Sequence, residues 1–107
     1  ISEWQISMIT SLAIVKVLDS INIKAFIKYP NDIIVNNKKI SGILTDVIYV
    51  ESQKYCIVGV GLNVNNVLFP QNIPHAVSVN NLINKKYLLC PIYYYLVFMI
   101  AIISITQ

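Results

Sequence analysis

Most of the polar groups suited to chemistry stand in one stretch, Lys28–Asn63, of a chain that is otherwise apolar. They fall in the runs Lys28-Tyr29-Pro30-Asn31-Asp32, Lys38-Lys39-Ile40-Ser41-Gly42-Ile43-Leu44 and Val58-Gly59-Val60-Gly61-Leu62-Asn63. Lys39 is the sharpest candidate. It follows a turn signal, opens a strand-like run and precedes Gly42 by three residues. A lysine so placed can hold its ammonium across a site floored by bare backbone. A fixed charge there suits a carboxylate, or the phosphate of an activated acyl group. The same spacing also fits a solvated lysine beside Lys38 at a turn. Asp32 with Asn31 can hold a magnesium ion or a ribose, and equally can form an ordinary Asx turn. Lys28 either pairs with Asp32 or faces solvent. Gly59 and Gly61 would let a flat ligand lie against the backbone, with Asn63 bonding its polar edge. This pair is not the dinucleotide fingerprint, which needs a third glycine and a following helix.

Other chemistries find little support. No Ser-His-Asp or Cys-His set assembles, and no paired carboxylates stand out. Cys56 and Cys90 lie far apart and outside metal-ligand spacing, and read as buried thiols in a reducing compartment. The single histidine, His75, reads as a loop residue rather than a metal ligand. The 107 residues are room for one small domain or part of a larger one, and the opening Ile1 fits a piece of a longer chain or a processed terminus. Charged residues make up 12%, against about 25% in a soluble domain, so the chain is poor in surface. The net charge of +3 comes from scattered lysines, with no arginine. No nucleic-acid contact is expected through this segment.

The elements that must position these residues follow from pattern. Trp4, Met8, Leu12, Val15 and Leu18 recur at three- and four-residue steps, predicting a helix of about four turns. Ser2 suits its cap and Glu3 its macrodipole, while Asp19, Ser20 and Asn22 mark its end. Lys24–Ile27 reads as a short strand, broken at Pro30, and Ile33–Val35 as the next. Asn36-Asn37 fits a two-residue hairpin turn. A long strand is expected over Lys39–Val50, a turn over Glu51–Lys54 and a strand over Tyr55–Val64, as a consecutive antiparallel meander. Asn65–His75, with Pro70 and Pro74, reads as a surface loop, and Ser78–Asn84 as a short helix start.

The tail is different. Leu88–Ile105 runs eighteen residues without a charge, behind the basic pair Lys85-Lys86. That length is at the lower edge for a membrane span. The readings are a membrane anchor, a helix of a larger domain, or a segment that is not native coding sequence. Membrane contact over 88–105 is not the favoured reading. No secretory signal opens the chain.

Taken in order, these motifs resemble biotin protein ligases. Lys28–Asp32 looks like that family's Lys-Trp-Pro-Asn-Asp motif, with Tyr29 in place of Trp. Lys39–Leu44 resembles its Lys-x-x-Gly-Ile-Leu, and Gly59–Asn65 its Gly-x-Gly-x-Asn-x-Asn. Phe69-Pro70, Pro74 and Ala76–Val79 loosely resemble its Phe-Pro…Pro…Ala-Thr-Ser-Leu stretch. The resemblance covers about residues 1–87, as part of a catalytic domain, with 88–107 a separate apolar segment. It implies an α+β fold, with an antiparallel-rich mixed sheet packed with helices. It implies a cytoplasmic ligase that joins biotin and ATP, with Mg2+, into biotinyl-5'-adenylate. Biotin then passes to a lysine of the biotin carboxyl-carrier domain of a carboxylase.

Residue by residue, the resemblance makes Lys39 the catalytic lysine, touching biotin and the adenylate phosphate. Gly42, Leu44, Gly59, Val60 and Gly61 would line the biotin pocket. Lys28, Asn31, Asp32 and Asn63 would lie on the ATP side, with Asp32 toward magnesium. The family's glycine- and arginine-rich loop, which normally lies upstream of the opening helix, is not within these residues, so the pocket is about half built and weak ligand binding is expected of the chain alone. A lipoate- or octanoate-type acyl ligase or transferase of related fold is the alternative. A non-catalytic remnant with a membrane-associated tail is another.

Overall fold

The computed structural model describes residues 2–84 and the backbone of 96–104. Helix α1 (Glu3–Asp19) is followed by strands β1 (Phe26–Lys28), β2 (Asp32–Val35), β3 (Lys38–Val50) and β4 (Gln53–Asn63). A short helix α2 (Val79–Ile83) and strand β5 (Leu96–Ser104) complete the order. The strands form one antiparallel sheet in the order β1-β2-β3-β4-β5. The fold class is α+β, as expected from the sequence.

The start of α1 is set by a capping box. Ser2 Oγ accepts from the Gln5 N–H, and Gln5 Oε1 accepts from the Ser2 N–H at 2.8 Å, satisfying two donors that the first helical turn leaves unpaired. The helix packs against β1, β2 and β3 through Ile6, Ser11, Ile14 and Leu18. This differs from the expected stripe: Trp4 and Leu12 are exposed. Because α1 is apolar nearly all round, periodicity alone does not single out the inward face. The core behind the sheet is aliphatic, with Ile33, Ile40, Ile43, Val58 and Val60 buried.

Two tight turns set the register. Asn36 and Asn37 take φ of 50° and 62° between the paired residues Val35 and Lys38. Glu51 and Ser52 take φ of 51° and 66° between Val50 and Gln53. Both are two-residue loops whose left-handed backbone matches the twist of the flanking strands. The second turn is shorter than expected, because Gln53 and Lys54 already pair with Val50 and Tyr49. The first strand is likewise shifted, to Phe26–Lys28.

The apolar tail also departs from expectation. Leu96–Ser104 is a strand, not a helix, and pairs along β4 from Asn63↔Leu96 to Tyr55↔Ser104. Its run of β-branched and aromatic residues suits a strand that adds to an existing sheet, where backbone pairing outweighs a hydropathy that reads equally well as helix. Residues 88–95, with Cys90, lie outside the described residues. Among the described residues no helix is long and apolar enough to cross a membrane.

Cys56 lies fully buried on the helix side of β4. Burial, and after it the Glu3 carboxylate, push its thiol above the ordinary value. Native protein should therefore resist iodoacetamide at Cys56 at neutral pH, while denatured protein reacts quickly, as peptide mass spectrometry would read separately from Cys90. The pH dependence follows in sign. Below about pH 8.5 the thiol is protonated in both states. Above that the unfolded chain ionises first, so stability falls until the folded thiol's raised value is reached.

Candidate functional site

The site lies on the sheet face turned away from α1. Cross-strand pairing puts Asp32 opposite Gly42, Gly42 opposite Gly61, and Leu44 opposite Gly59. These residues share one face, while their neighbours Ile43, Val58 and Val60 point into the core. All three glycines of the chain thus stand in one patch. None has a positive φ, so turn geometry does not require them. What they supply is space over the backbone.

That space is a cavity of about 550 Å³, lined by Asn31, Asp32, Lys39, Leu44, Asn63 and the glycines. Its size is within the usual range of small-molecule sites, roughly 300–1,000 Å³. A second cavity of about 470 Å³ adjoins it and shares Asp32, Lys39 and Asn63. Lys28, Phe69 and His75 are on its wall.

Lys39 reaches the first cavity through an irregularity in β3. Ile33 pairs with Ser41 and Ile34 with Lys39, so Ile40 is an extra residue, a β-bulge. Ile40 and Ser41 are consecutive yet both buried, at 0% and 2% exposure. In a regular strand Lys39 and Gly42, three residues apart, would face opposite ways. The bulge adds the missing half-step and brings both to the ligand side. The lysine's backbone is also fixed. Its N–H donates to the His75 carbonyl at 2.6 Å, and its carbonyl accepts from the Val77 N–H at 2.9 Å. Residues 75–77 thereby take the place beside Lys39 that β4 leaves after Asn63, and Asn63 Nδ2 ties the two segments by donating to the Val77 carbonyl at 3.2 Å.

The Lys39 side chain lies across Gly42. A Cβ added at Gly42 would stand 3.0 Å from Lys39 Cε and 3.1 Å from Nζ. The ammonium meets Asp32 Oδ1 at 3.0 Å. Asp32 is placed for this by the turn ahead of β2, whose Asn31 carbonyl accepts from the Ile43 N–H at 2.9 Å. The arrangement is a cation, steered by an adjacent carboxylate, over a floor of bare backbone. It can bind a carboxylate or phosphate and stabilise negative charge that develops there.

The residues singled out from sequence fall into place unequally. Lys39, Gly42, Leu44, Gly59 and Gly61 meet in the first cavity, with Asn31, Asp32 and Asn63. Val60 lines it too, but its buried side chain lies on the core face; only its backbone is offered to a ligand. Lys28 reaches the second cavity alone and is exposed. The described ion pair at Asp32 is with Lys39. Among the described residues no three His, Cys, Asp or Glu side chains group as metal ligands. One carboxylate with nearby Asn31 and Asn63 fits magnesium only where substrate phosphates and water complete its shell. Asn65–His75 is a loop without helix or strand, exposed over most of its length, as expected from the sequence. Its Phe69, Asn72, Ile73 and His75 also wall the second cavity, and Pro70 and Pro74 within it are the signal that it is shaped.

The sequence model of the Biotin/lipoate A/B protein ligase family matches residues 2–63. Two curated relatives, each named Bifunctional ligase/repressor BirA, come from Bacillus subtilis (strain 168) and Bacillus spizizenii (strain ATCC 23059 / NRRL B-14472 / W23). Each is 38% identical over 63 residues, which is 57% of this chain and 19% of the relative. The chain thus spans about a fifth of the length of the curated relatives it matches.

Proposed function

The chain belongs to the biotin/lipoate A/B protein ligase family, and from that premise we propose that it forms the acid-activating half-site of a biotin protein ligase. The reading rests above all on Lys39, held over Gly42 in a glycine-floored cavity. The biotin ring system lies against Gly42, Gly59 and Gly61, beside Leu44 and the Val60 backbone. The Lys39 ammonium holds the carboxylate. A carboxylate oxygen attacks the α-phosphorus of ATP, the new P–O bond forms, and pyrophosphate leaves. Lys39 then stabilises the negative charge on the phosphate of biotinyl-5'-adenylate. In the second step the amine of a carrier-domain lysine attacks the acyl carbon, releasing AMP and one proton. Asn31, Asp32 and Asn63 hold the nucleotide side, with Lys28 at its margin. Magnesium, when bound at Asp32, offsets phosphate charge. The setting is the cytoplasm, and the acceptor is the biotin carboxyl-carrier domain of a carboxylase.

The experiment is biotin-dependent exchange of labelled pyrophosphate into ATP by the full-length protein, with free lipoate as competitor. Exchange that depends on biotin and resists excess lipoate supports the reading. Exchange driven by lipoate or octanoate in place of biotin would move the protein to the related acyl ligases. The Lys28–Asp32 run, so close to the biotin-type motif, favours the first outcome.

A further inference from the structure

The Lys39–Asp32 pair poses a conflict for any anionic ligand of this cavity. The ammonium that would hold the ligand's anion already holds a carboxylate, 3.0 Å away. Both residues line both cavities. Their backbones are pinned. Asp32 pairs with Gly42, and Lys39 is bonded to His75 and Val77. The lysine side chain is therefore the part free to move, and Gly42 has no Cβ to block its sweep. The pair is also weak enough to be exchanged. The side chains are 53% and 30% exposed, and pairs this open typically change an equilibrium constant by no more than about fivefold.

We infer that Asp32 is a displaceable counter-ion, holding the Lys39 ammonium over Gly42 until the ligand's carboxylate takes its place. This deepens the proposed function and rests on its assignment of Lys39 as the anion-holding group. Asp32 is then a competitor in the free protein: it keeps the cation oriented and lowers the apparent affinity for the acid. The rival arrangement has the ammonium bridging both carboxylates at once, with three donors to share. There Asp32 would aid binding. The two differ in the sign of one measurement.

Binding of free biotin is measured calorimetrically on the full-length protein, without ATP and with EDTA present, so that a role of Asp32 toward magnesium does not enter. Removing a competing pair of this kind should tighten binding by about two- to fivefold, so Asp32→Asn, with Asp32→Ala as a second variant, is expected to bind biotin that much better. The gain should vanish when Lys39→Gln is added, which a merely structural effect of Asp32 would not require. Equal or weaker binding by both Asp32 variants overturns the inference. Inorganic phosphate is the second probe. If no protein binds biotin but phosphate binds in a Lys39-dependent way, and more tightly in Asp32→Asn, the biotin reading fails while the counter-ion stands. If neither anion shows Lys39-dependent binding in any of these proteins, the counter-ion inference fails.

Discussion

Replacing Lys39 with glutamine is expected to slow biotin-dependent pyrophosphate exchange by about 10²–10³-fold, the usual loss when one preorganised charge-stabilising donor is removed from an acyl- or phosphoryl-transfer site. Glutamine keeps much of the length and can still donate a hydrogen bond, so the loss reports charge more than reach. The side chain is half exposed and lies outside the core. The melting temperature should accordingly stay within the small range of surface substitutions, about ±0.5 kcal/mol in stability. Exchange at the normal rate in the glutamine variant would show that Lys39 is not the group that meets the activated acid. A fall in activity matched by loss of the folded state would assign it to structure instead.

Gly42→Val should give the same combination by another route, a sound fold with an empty function. Even the first added carbon would stand 3.0 Å from Lys39 Cε, and the flexible end of the lysine can yield at little cost. Valine suits strands better than glycine, so thermal stability should hold or rise slightly. The lysine, however, is pushed off its line, and the branched side chain fills the floor of the cavity. A misplacement of about 1 Å at a reacting centre can cost 10²-fold, so exchange activity is expected to fall by about that factor. Gly59→Ala should be milder, because a Cβ there would meet only the Leu44 carbonyl, at 3.9 Å. Equal activity in Gly42→Val and the parent would mean that the ligand does not lie on this face.

Much of this was legible in the sequence, and the reasons for the rest are physical. The meander was readable because paired asparagines and a polar turn separate three β-rich runs. The floor was readable because three glycines in so apolar a chain are conspicuous when two stand in one strand and the third in its neighbour. The face of α1 was not, since its hydrophobic residues encircle the helix and only tertiary contact chooses among them. The tail misled for a related reason: a charge-free run records burial, but not whether a helix or a strand is buried. The bracing of Lys39 by residues 75–77 joins segments about 36 positions apart in sequence and leaves no local trace.

The extra residue at Ile40 gives the chemistry a parity. Two side chains of one strand share a side when the interval between them is even, and here an odd interval works only because the strand miscounts once. Trimming Ile40 would leave an even interval of two, so the straightened strand would still turn lysine and glycine to one side, but a fully buried side chain would be lost from the core. Flattening the bulge with every residue kept would send the lysine to the other side of the sheet. The interval of three and the bulge are therefore one feature of this site, and any scaffold that borrows the interval must borrow the miscount with it.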